Sequence, residues 1–303
     1  MSAAGIDLGG TKIEVQLFDN DWKIIARNRV PTPNDYDQLV RAIADQIRWA
    51  DDKAGGSVPI GVGAAGLLHP ETGLALTANL VASGRPLKKD IEDAISRPIT
   101  YVNDCRALAL SEAIFGVGQG LRTVVALILG TGIGGGIAVD GTILQGPTVT
   151  GGEFGHTAAP AHLVQKYNLP VVTCGCGRQG CVETYVAGPG MVRLAKALTG
   201  KDVTPPEIAA RKSGDMAQVW AVWCEFAAEL LHNLTLTVDP DVIILGGGLS
   251  QIDGIVDDLT NAAANAQIGD YGTAKLILAE GGDTSGGRGA AYAAWQAQGE
   301  DHV

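Results

Sequence analysis

The chain has 303 residues, a formal net charge of −11 and 46% hydrophobic residues, enough to bury two domain cores. The acidic balance argues against nucleic acid or an anionic membrane surface as partner, while leaving room for a phosphorylated ligand held by local N–H groups and a metal ion. With 42 glycines and only 5% aromatics, the composition suits an α/β protein with many tight turns, not a fibrous or disordered one.

The opening M-S-A-A-G-I-D-L carries no basic segment and enters a strand pattern directly, so no signal peptide is expected. Ala3 to Leu8 is an apolar strand ending in Gly9-Gly10. Ile13, Val15 and Leu17 then alternate with Lys12, Glu14 and Gln16, which is strand periodicity. Lys23 to Val30 follows the turn at Asp19-Asn20-Asp21 as a third strand. Asp35 to Ala54 has helical spacing through Leu39, Ile43, Ile47 and Ala50, Val58 to Gly63 returns as a strand, and Pro86 to Ser96 is a short helix. Ile99 to Val102 is a buried strand with Asn103-Asp104 at its end, and a helix runs from Cys105 to Phe115. Gly116-Val117-Gly118-Gln119-Gly120 marks a domain boundary. The expected units are 1–117 with 288–303, and 118–287.

The second half begins as the first did. Thr123 to Leu129 is an apolar strand, Gly130-Thr131-Gly132 a turn, and Ile137 to Val139 a returning strand, a weak internal repeat. The longest uncharged run, Thr123 to Val139, contains five glycines and is too short and broken to span a bilayer. Helices are expected at Gly190 to Ala197, Pro205 to Ala210 and Asp215 to Thr237. Val242 to Leu245 is a buried strand opening into Gly246-Gly247-Gly248. A helix to about Ala266, a strand at Lys275 to Leu278 and a last helix at Arg288 to Ala297 complete the chain.

Between Gly151 and Thr184 lie G-G-E-F-G-H and C-G-C-G-R-Q-G-C-V-E-T. His156, Cys174, Cys176 and Cys181 are the ligand types of a closed structural zinc site. Small residues between the cysteines let the backbone wrap an ion, and Glu153 and Glu183 flank the set. The bland alternative is three reduced cysteines in a glycine-rich turn beside a surface histidine. Disulfides are disfavoured by the odd count, with Cys105 and Cys224 lying in apolar runs. Reduced cysteines without an export signal point to the cytoplasm.

Gly130, Gly132 and Gly135 satisfy G-x-G-x-x-G, but G-G-G-I-A-V-D-G cannot supply the helix that a dinucleotide fingerprint requires. Two strand–turn–strand glycine loops in two half-chains can instead each aim N–H groups at phosphate. Taken alone, each loop reads first as an ordinary β-hairpin. Asp7, ending a buried strand beside Gly9-Gly10-Thr11, could hold Mg²⁺ through water.

D-L-G-G-T-K at Asp7 to Lys12, L-G-T-G-I-G-G-G, D-P-D-V-I-I-L-G-G-G and the cysteine stretch together resemble the ROK family of sugar kinases, over Gly5 to Ala294. The members the chain looks most like are bacterial N-acetylglucosamine kinases and fructokinases. The resemblance implies a two-domain, actin-like (ribonuclease H-like) α/β fold with ATP and sugar in the interdomain cleft, bound zinc and Mg²⁺, and a homodimer. It assigns Asp7, Gly9, Gly10, Thr11 and Lys12 to the first phosphate loop and Gly130, Thr131 and Gly132 to the second. Gly246, Gly247, Gly248 and Leu249 would approach the adenosine. Asn103 and Asp104 match the family's Asn-Asp pair, with Asp104 as catalytic base, and Asn79, Glu153, His156 and Glu183 match sugar-binding positions. His156 would serve zinc and sugar with one ring nitrogen each.

Two departures from the family pattern stand out. Asp104 is followed by Cys105-Arg106 where Asn-Asp-Ala-Asn is usual, and Ala64-Ala65-Gly66 replaces the usual Pro-Gly. Apart from the resemblance, Asp104 suits a base that accepts a hydroxyl proton in phosphoryl transfer. It equally suits an N-cap for the helix from Cys105, and the two roles are compatible. Thr77 to Leu87 resembles the N-acetylglucosamine kinase version of this segment, in which small residues, here Ala82, Ser83 and Gly84, would leave room for a 2-acetamido group; the resemblance thus implies ATP-dependent 6-phosphorylation of N-acetylglucosamine. Fructose, glucose or mannose are the rival substrates. Among non-enzyme rivals, a DNA-binding repressor is disfavoured by the acidic charge and by a strand pattern that starts almost at Met1, and a sugar-sensing regulator without a DNA-binding domain by the intact Asp7, Asp104 and glycine loops.

Overall fold

The computed structural model describes residues 2–78, 80–282 and 285–300. It divides into two compact units. The first takes residues up to Gly120, Gly136–Gly151 and the return from Glu280; the second takes Leu121–Gly135 and Gly152–Ala279.

The first unit opens with β1 (Ala3–Leu8), β2 (Lys12–Phe18) and β3 (Ile24–Pro31) as an antiparallel meander. Helix α1 (Tyr36–Ala54) buries Leu39, Ile43, Ile47 and Ala50. Asp35 caps it by accepting from Gln38 N, and Gly55, at φ +74°, ends it in the left-handed region that glycine takes without strain. Strand β4 (Ile60–Ala64) pairs parallel with β1. A two-stranded hairpin, β5 (Leu67–Leu68) and β6 (Ala75–Leu76), precedes α2 (Leu87–Ile95), β7 (Thr100–Asn103) and α3 (Asp104–Phe115). The sheet order is β3-β2-β1-β4-β7.

The chain continues through β8 (Thr123–Leu129), β9 (Ile133–Val139) and β10 (Thr142–Ile143), passing back to the first unit within β9. After a 3₁₀ turn at Phe154–His156 come α4 (Ala161–Lys166), α5 (Glu183–Val186), α6 (Gly188–Thr199), α7 (Pro205–Ala210) and α8 (Ala217–Val238). Strand β11 (Val242–Gly246), a 3₁₀ turn at Gly248–Gln251, α9 (Ile255–Ala266) and β12 (Lys275–Leu278) follow, and α10 (Ser285–Glu300) closes the chain. The second sheet runs β10-β9-β8-β11-β12. Its β8, β11 and β12 are parallel, as β1, β4 and β7 are in the first sheet. The weak sequence repeat is thus a repeat of sheet topology.

The short elements β5, β6, β10, α4 and α5 are not expected from the sequence, and glycine packing explains two elements that begin earlier than expected. Strand β9 begins at Ile133, not Ile137. A Cβ on Gly135 would come within 2.5 Å of the Ala126 carbonyl and the Phe154 ring, so this stretch must be glycine to remain in the sheet. Helix α10 starts at Ser285, not Arg288. Gly287 presents its carbonyl to β1, where a Cβ on Gly5 would lie only 1.8 Å from it, and a Cβ on Gly289 would lie equally close to the Ala107 carbonyl of α3. Glycines that weaken a helix by about 1 kcal/mol each in isolation here seat α10 against the sheet. Glu14 and Gln16 are buried on the second face of β2, where a Cβ on Gly287 would lie 2.8 Å from Gln16 Oε1, and Gln16 Nε2 and Arg29 Nε both donate to the Glu14 carboxylate.

Candidate active site

The parallel register of the first sheet aligns Leu8 with Ala64 and Ala64 with Asn103. The carboxyl ends of β1, β4 and β7 therefore share one edge, the edge at which open α/β sheets bind ligands. The β1–β2 turn closes there, with Gly9 N donating to the Lys12 carbonyl at 2.9 Å and Thr32 Oγ1 to the Gly9 carbonyl at 2.7 Å. Asp7 is half-buried in β1, and a Cβ on Gly286 would lie 3.4 Å from its Oδ1. The first turn of α10, the positive end of its helix dipole, thus stands beside this carboxylate.

At the end of β7, Asn103 Oδ1 accepts from Cys105 N (3.0 Å) and Arg106 N (3.4 Å), and its Nδ2 donates to the Gly66 carbonyl (3.1 Å). This corrects the expectation that Asp104 is the cap. Asn103 has the extended backbone of an N-cap and Asp104 is already the first helical residue. Asp104 Oδ1 accepts from Cys105 N at 2.9 Å. Burial pushes its carboxyl above the usual carboxylate range, partly offset by that N–H bond. Burial and the adjacent Asp104 charge push the Tyr101 phenol up as well.

A cavity of about 620 Å³ opens beside Asn103, lined among others by Gly66, Leu67, Tyr101, Arg106 and Val149. Ser83 and Gly84 are not among its lining residues. They occupy an exposed turn in which Gly84, at φ +75°, donates its N–H to the Ala75 carbonyl at 2.7 Å. Asn79 lies outside the described residues.

In the second unit, β8 and β11 run parallel with Ile128 opposite Gly246. The Gly130–Gly132 turn and the Gly246–Leu249 segment therefore share a carboxyl edge too. Gly130 N donates to the Gly132 carbonyl (3.1 Å), and Gly188 N, opening α6, to the Gly130 carbonyl (2.8 Å). Gly247 has φ +86°, and a Cβ there would lie 2.5 Å from the Leu129 carbonyl. Leu249 is buried. Thr131 and Gly132 are exposed.

The four expected metal ligands do come together: one donor atom each from His156, Cys174, Cys176 and Cys181 lie within 4.8 Å of one another. Cys174 Sγ is 3.6 Å from His156 Nδ1, and Cys176 Sγ is 3.6 Å from Cys181 Sγ. Bond lengths of about 2.3 Å to sulfur and about 2.0 Å to nitrogen give tetrahedral edges of roughly 3.5–3.8 Å, so the cage fits zinc. The hairpin that builds it is tied by Cys174 N to the Arg178 carbonyl (2.7 Å) and Gly177 N to the Cys174 carbonyl (2.9 Å). Without an ion, burial and the neighbouring Glu183 push the Cys174 thiol up to about 12, and burial also raises Cys181. The Arg178 N–H holds Cys176 below the usual thiol range. A bound cation reverses the first two, since a coordinating thiol is deprotonated. None of the five cysteines is in a disulfide, and Cys105 and Cys224 are buried elsewhere.

Glu153 and Glu183 flank the imidazole. Glu153 Oε2 lies 3.8 Å from Nε2, and Glu183 Oε1 lies 3.8 Å from Nδ1. Glu183 Oε1 also accepts from Cys174 Sγ (3.1 Å), and its Oε2 from Ile133 N (3.0 Å). One carboxylate thus links the cysteine cage to the start of β9, directly after the Gly130–Gly132 turn.

The ROK family pattern matches residues 3–297. The chain belongs to the ROK family. It is 36% identical over 292 residues to the N-acetylgalactosamine kinase of Shewanella sp. (strain ANA-3), covering 95% of this chain and 94% of that protein. It is 37% identical over 295 residues to the N-acetyl-D-glucosamine kinase of Photobacterium profundum, covering 95% and 97%. Among solved structures, the ROK hexokinase from Thermus thermophilus aligns with a TM-score of 0.87 at 30% identity, covering 99% of this chain and 100% of that one. A ROK family glucokinase from Streptomyces griseus, in complex with glucose and AMPPNP, aligns at 0.76 and 29% identity, covering 98% and 100%. The fold is therefore the two-domain actin-like α/β fold of the ROK sugar kinases.

Of the expected site residues only Asn103 is in the described lining of this cavity, and this ROK protein adds Tyr101 and Arg106 there. Tyr101 carries no motif. Arg106 is visible in the sequence as a departure from the family pattern, but its partners are not. It is 4% exposed, and its guanidinium donates to the carbonyls of Val149 and Gly151.

Proposed function

We propose that this ROK protein transfers the terminal phosphoryl group of ATP to O6 of N-acetylglucosamine. The observation that carries the chemistry is Asp104: it stands at the carboxyl edge of the first sheet, and Asn103 takes the capping role instead. Its carboxyl is raised above the usual range by burial, which strengthens it as a proton acceptor. The substrate reading is supported by relatives named N-acetyl-D-glucosamine kinase, at 34–37% identity over 95% of the chain.

In this reading Asp104 takes the proton of the sugar hydroxyl as it attacks. Gly9, Gly10, Thr11 and Lys12, with Gly130, Thr131 and Gly132, offer N–H groups and one ammonium to the phosphates. Gly246 to Leu249 approach the adenosine. Mg²⁺, held through water by Asp7, supplies positive charge against the phosphate oxygens. Asn79, Asn103, Glu153, His156 and Glu183 orient the sugar hydroxyls, and Ser83 and Gly84 accommodate the acetamido group. Zinc, held by His156 Nδ1 and the three cysteines, supplies a fixed anchor; Nε2, on the Glu153 side, is left for the sugar.

The same reading makes the protein a cytoplasmic homodimer that needs no nucleic acid, in keeping with its net charge of −11. No helix among the described residues is long and apolar enough to cross a membrane. The Shewanella relative supports a second reading, N-acetylgalactosamine, which differs only at C4. Phosphorus-coupled NMR of the product tests the proposal: a phosphate on O6 is expected, and a phosphate on O1, or no product from any amino sugar, overturns it.

A further inference from the structure

Arg106 stands two residues beyond Asp104 in α3, where the family pattern has asparagine. Its guanidinium is buried, with Nη2 donating to the Val149 carbonyl and, at 3.0 Å, to the Gly151 carbonyl; Nε adds a 3.3 Å contact to Gly151. An asparagine side chain in its place lacks a planar fork that can span two carbonyls. The carbonyls belong to a strap, residues 144–151, that leads from β10 into Gly152-Glu153. Both Arg106 and the strap lie in the first unit.

The strap needs external support. Val149 has φ +52°, a left-handed conformation that β-branched residues rarely adopt. Within the strap the bonds are Val149 N to the Gly146 carbonyl (3.1 Å) and a Thr148–Thr150 hydroxyl contact (2.8 Å). The strap also forms a wall of the 620 Å³ cavity beside Asn103, through Gln145, Gly146, Pro147 and Val149. Leu144 N, donating to the Ile137 carbonyl at 2.8 Å, ties the start of the strap to β9, and at its other end one buried side chain, two residues from Asp104, bonds the carbonyls of Val149 and Gly151.

We propose that Arg106 is a positioning residue: by clamping the strap it fixes the cavity wall beside Asn103 and sets affinity for the sugar, not the rate of the chemical step. This rests on the kinase reading above for the identity of the sugar. The clamp itself is a property of the geometry.

The test compares the full-length wild type with Arg106→Met and Arg106→Lys, using steady-state kinetics and hydrogen exchange of residues 144–151. Arg106→Met should raise KM for N-acetylglucosamine about tenfold or more, keep kcat within about threefold, and leave KM for ATP unchanged. Its strap amides should lose protection. Arg106→Lys, which can reach one carbonyl but not fork across two, should fall between. A merely structural arginine would lower kcat in proportion to lost folded enzyme and leave both KM values alone; that result overturns the proposal. If Arg106→Met does not fold, the lysine variant carries the same KM criterion. If the wild type phosphorylates no sugar, the kinase reading fails, and the exchange data alone decide the clamp: a protected strap in Arg106→Met refutes it.

Discussion

Replacing Asp104 with asparagine separates chemistry from structure at the point where the two are easiest to confuse. The carboxamide keeps an oxygen to accept from Cys105 N, and the helix cap is provided by Asn103. The fold therefore loses nothing that the substitution removes, except a charge. Because burial raises the Asp104 pKa in the folded state, its ionised form is destabilising above that raised pKa. The penalty is absent below the unfolded carboxylate pKa of about 3.9 and grows as pH rises through the folded value. Asp104→Asn should accordingly melt at or above the wild-type temperature at pH 7, with the difference vanishing in acid. Turnover should fall by about 10²–10⁴, the usual contribution of a general base, or roughly 2.7–5.5 kcal/mol of transition-state stabilisation. The wild-type rate should fall as pH drops through the raised Asp104 pKa, and the variant's residual rate should lack that limb. The assay is ADP release at saturating ATP and sugar, alongside calorimetric ATP binding and thermal unfolding. Near-normal turnover refutes the assignment, and so does a turnover loss matched by loss of ATP binding or of stability.

Two further outcomes follow from the geometry. Protein purified without added metal should contain about one zinc per chain, and Cys176→Ser should release it and weaken sugar binding more than ATP binding, because His156 and Glu183 share the cage. A metal-free, fully active wild type contradicts this. Glu112, fully buried in α3, accepts from Gly281 N at 2.9 Å and Ser285 Oγ at 3.2 Å, so it ties down the chain where it returns to α10. Glu112→Ala orphans both donors and should cost roughly 2–6 kcal/mol, measured as a lower urea midpoint; an unchanged midpoint would show that water replaces the carboxylate.

Much of this was legible because it is local. The alternation of Ile13, Val15 and Leu17 and the spacing of Leu39, Ile43 and Ile47 are periodic signals that burial respects. Cys-x-Cys-x₄-Cys with an upstream histidine fixes chemistry as well as position, and the four donors converge as that pattern requires. What stayed hidden depends on partners distant in sequence. Asn and Asp cap helices about equally well, so only the turn of the backbone after β7 reveals that Asn103 is the cap. Gly286 and Gly287 fall outside the helix expected from Arg288 until the Gly287 carbonyl is found against Gly5. Arg106 reaches carbonyls 43 and 45 residues away, and a carbonyl leaves no mark on the sequence.

The central claim is that this ROK protein is a kinase built for N-acetylglucosamine. It is tested most directly by kcat/KM with ATP for N-acetylglucosamine, N-acetylgalactosamine, glucose, mannose and fructose. A site that hydrogen-bonds the amide can disfavour sugars lacking it by up to about 10⁴-fold, whereas room for the acetyl group alone gives only about 10–200-fold. N-acetylglucosamine should give the highest value, with glucose weaker. A higher value for fructose, glucose or N-acetylgalactosamine, or no phosphorylation of any of the five, contradicts it.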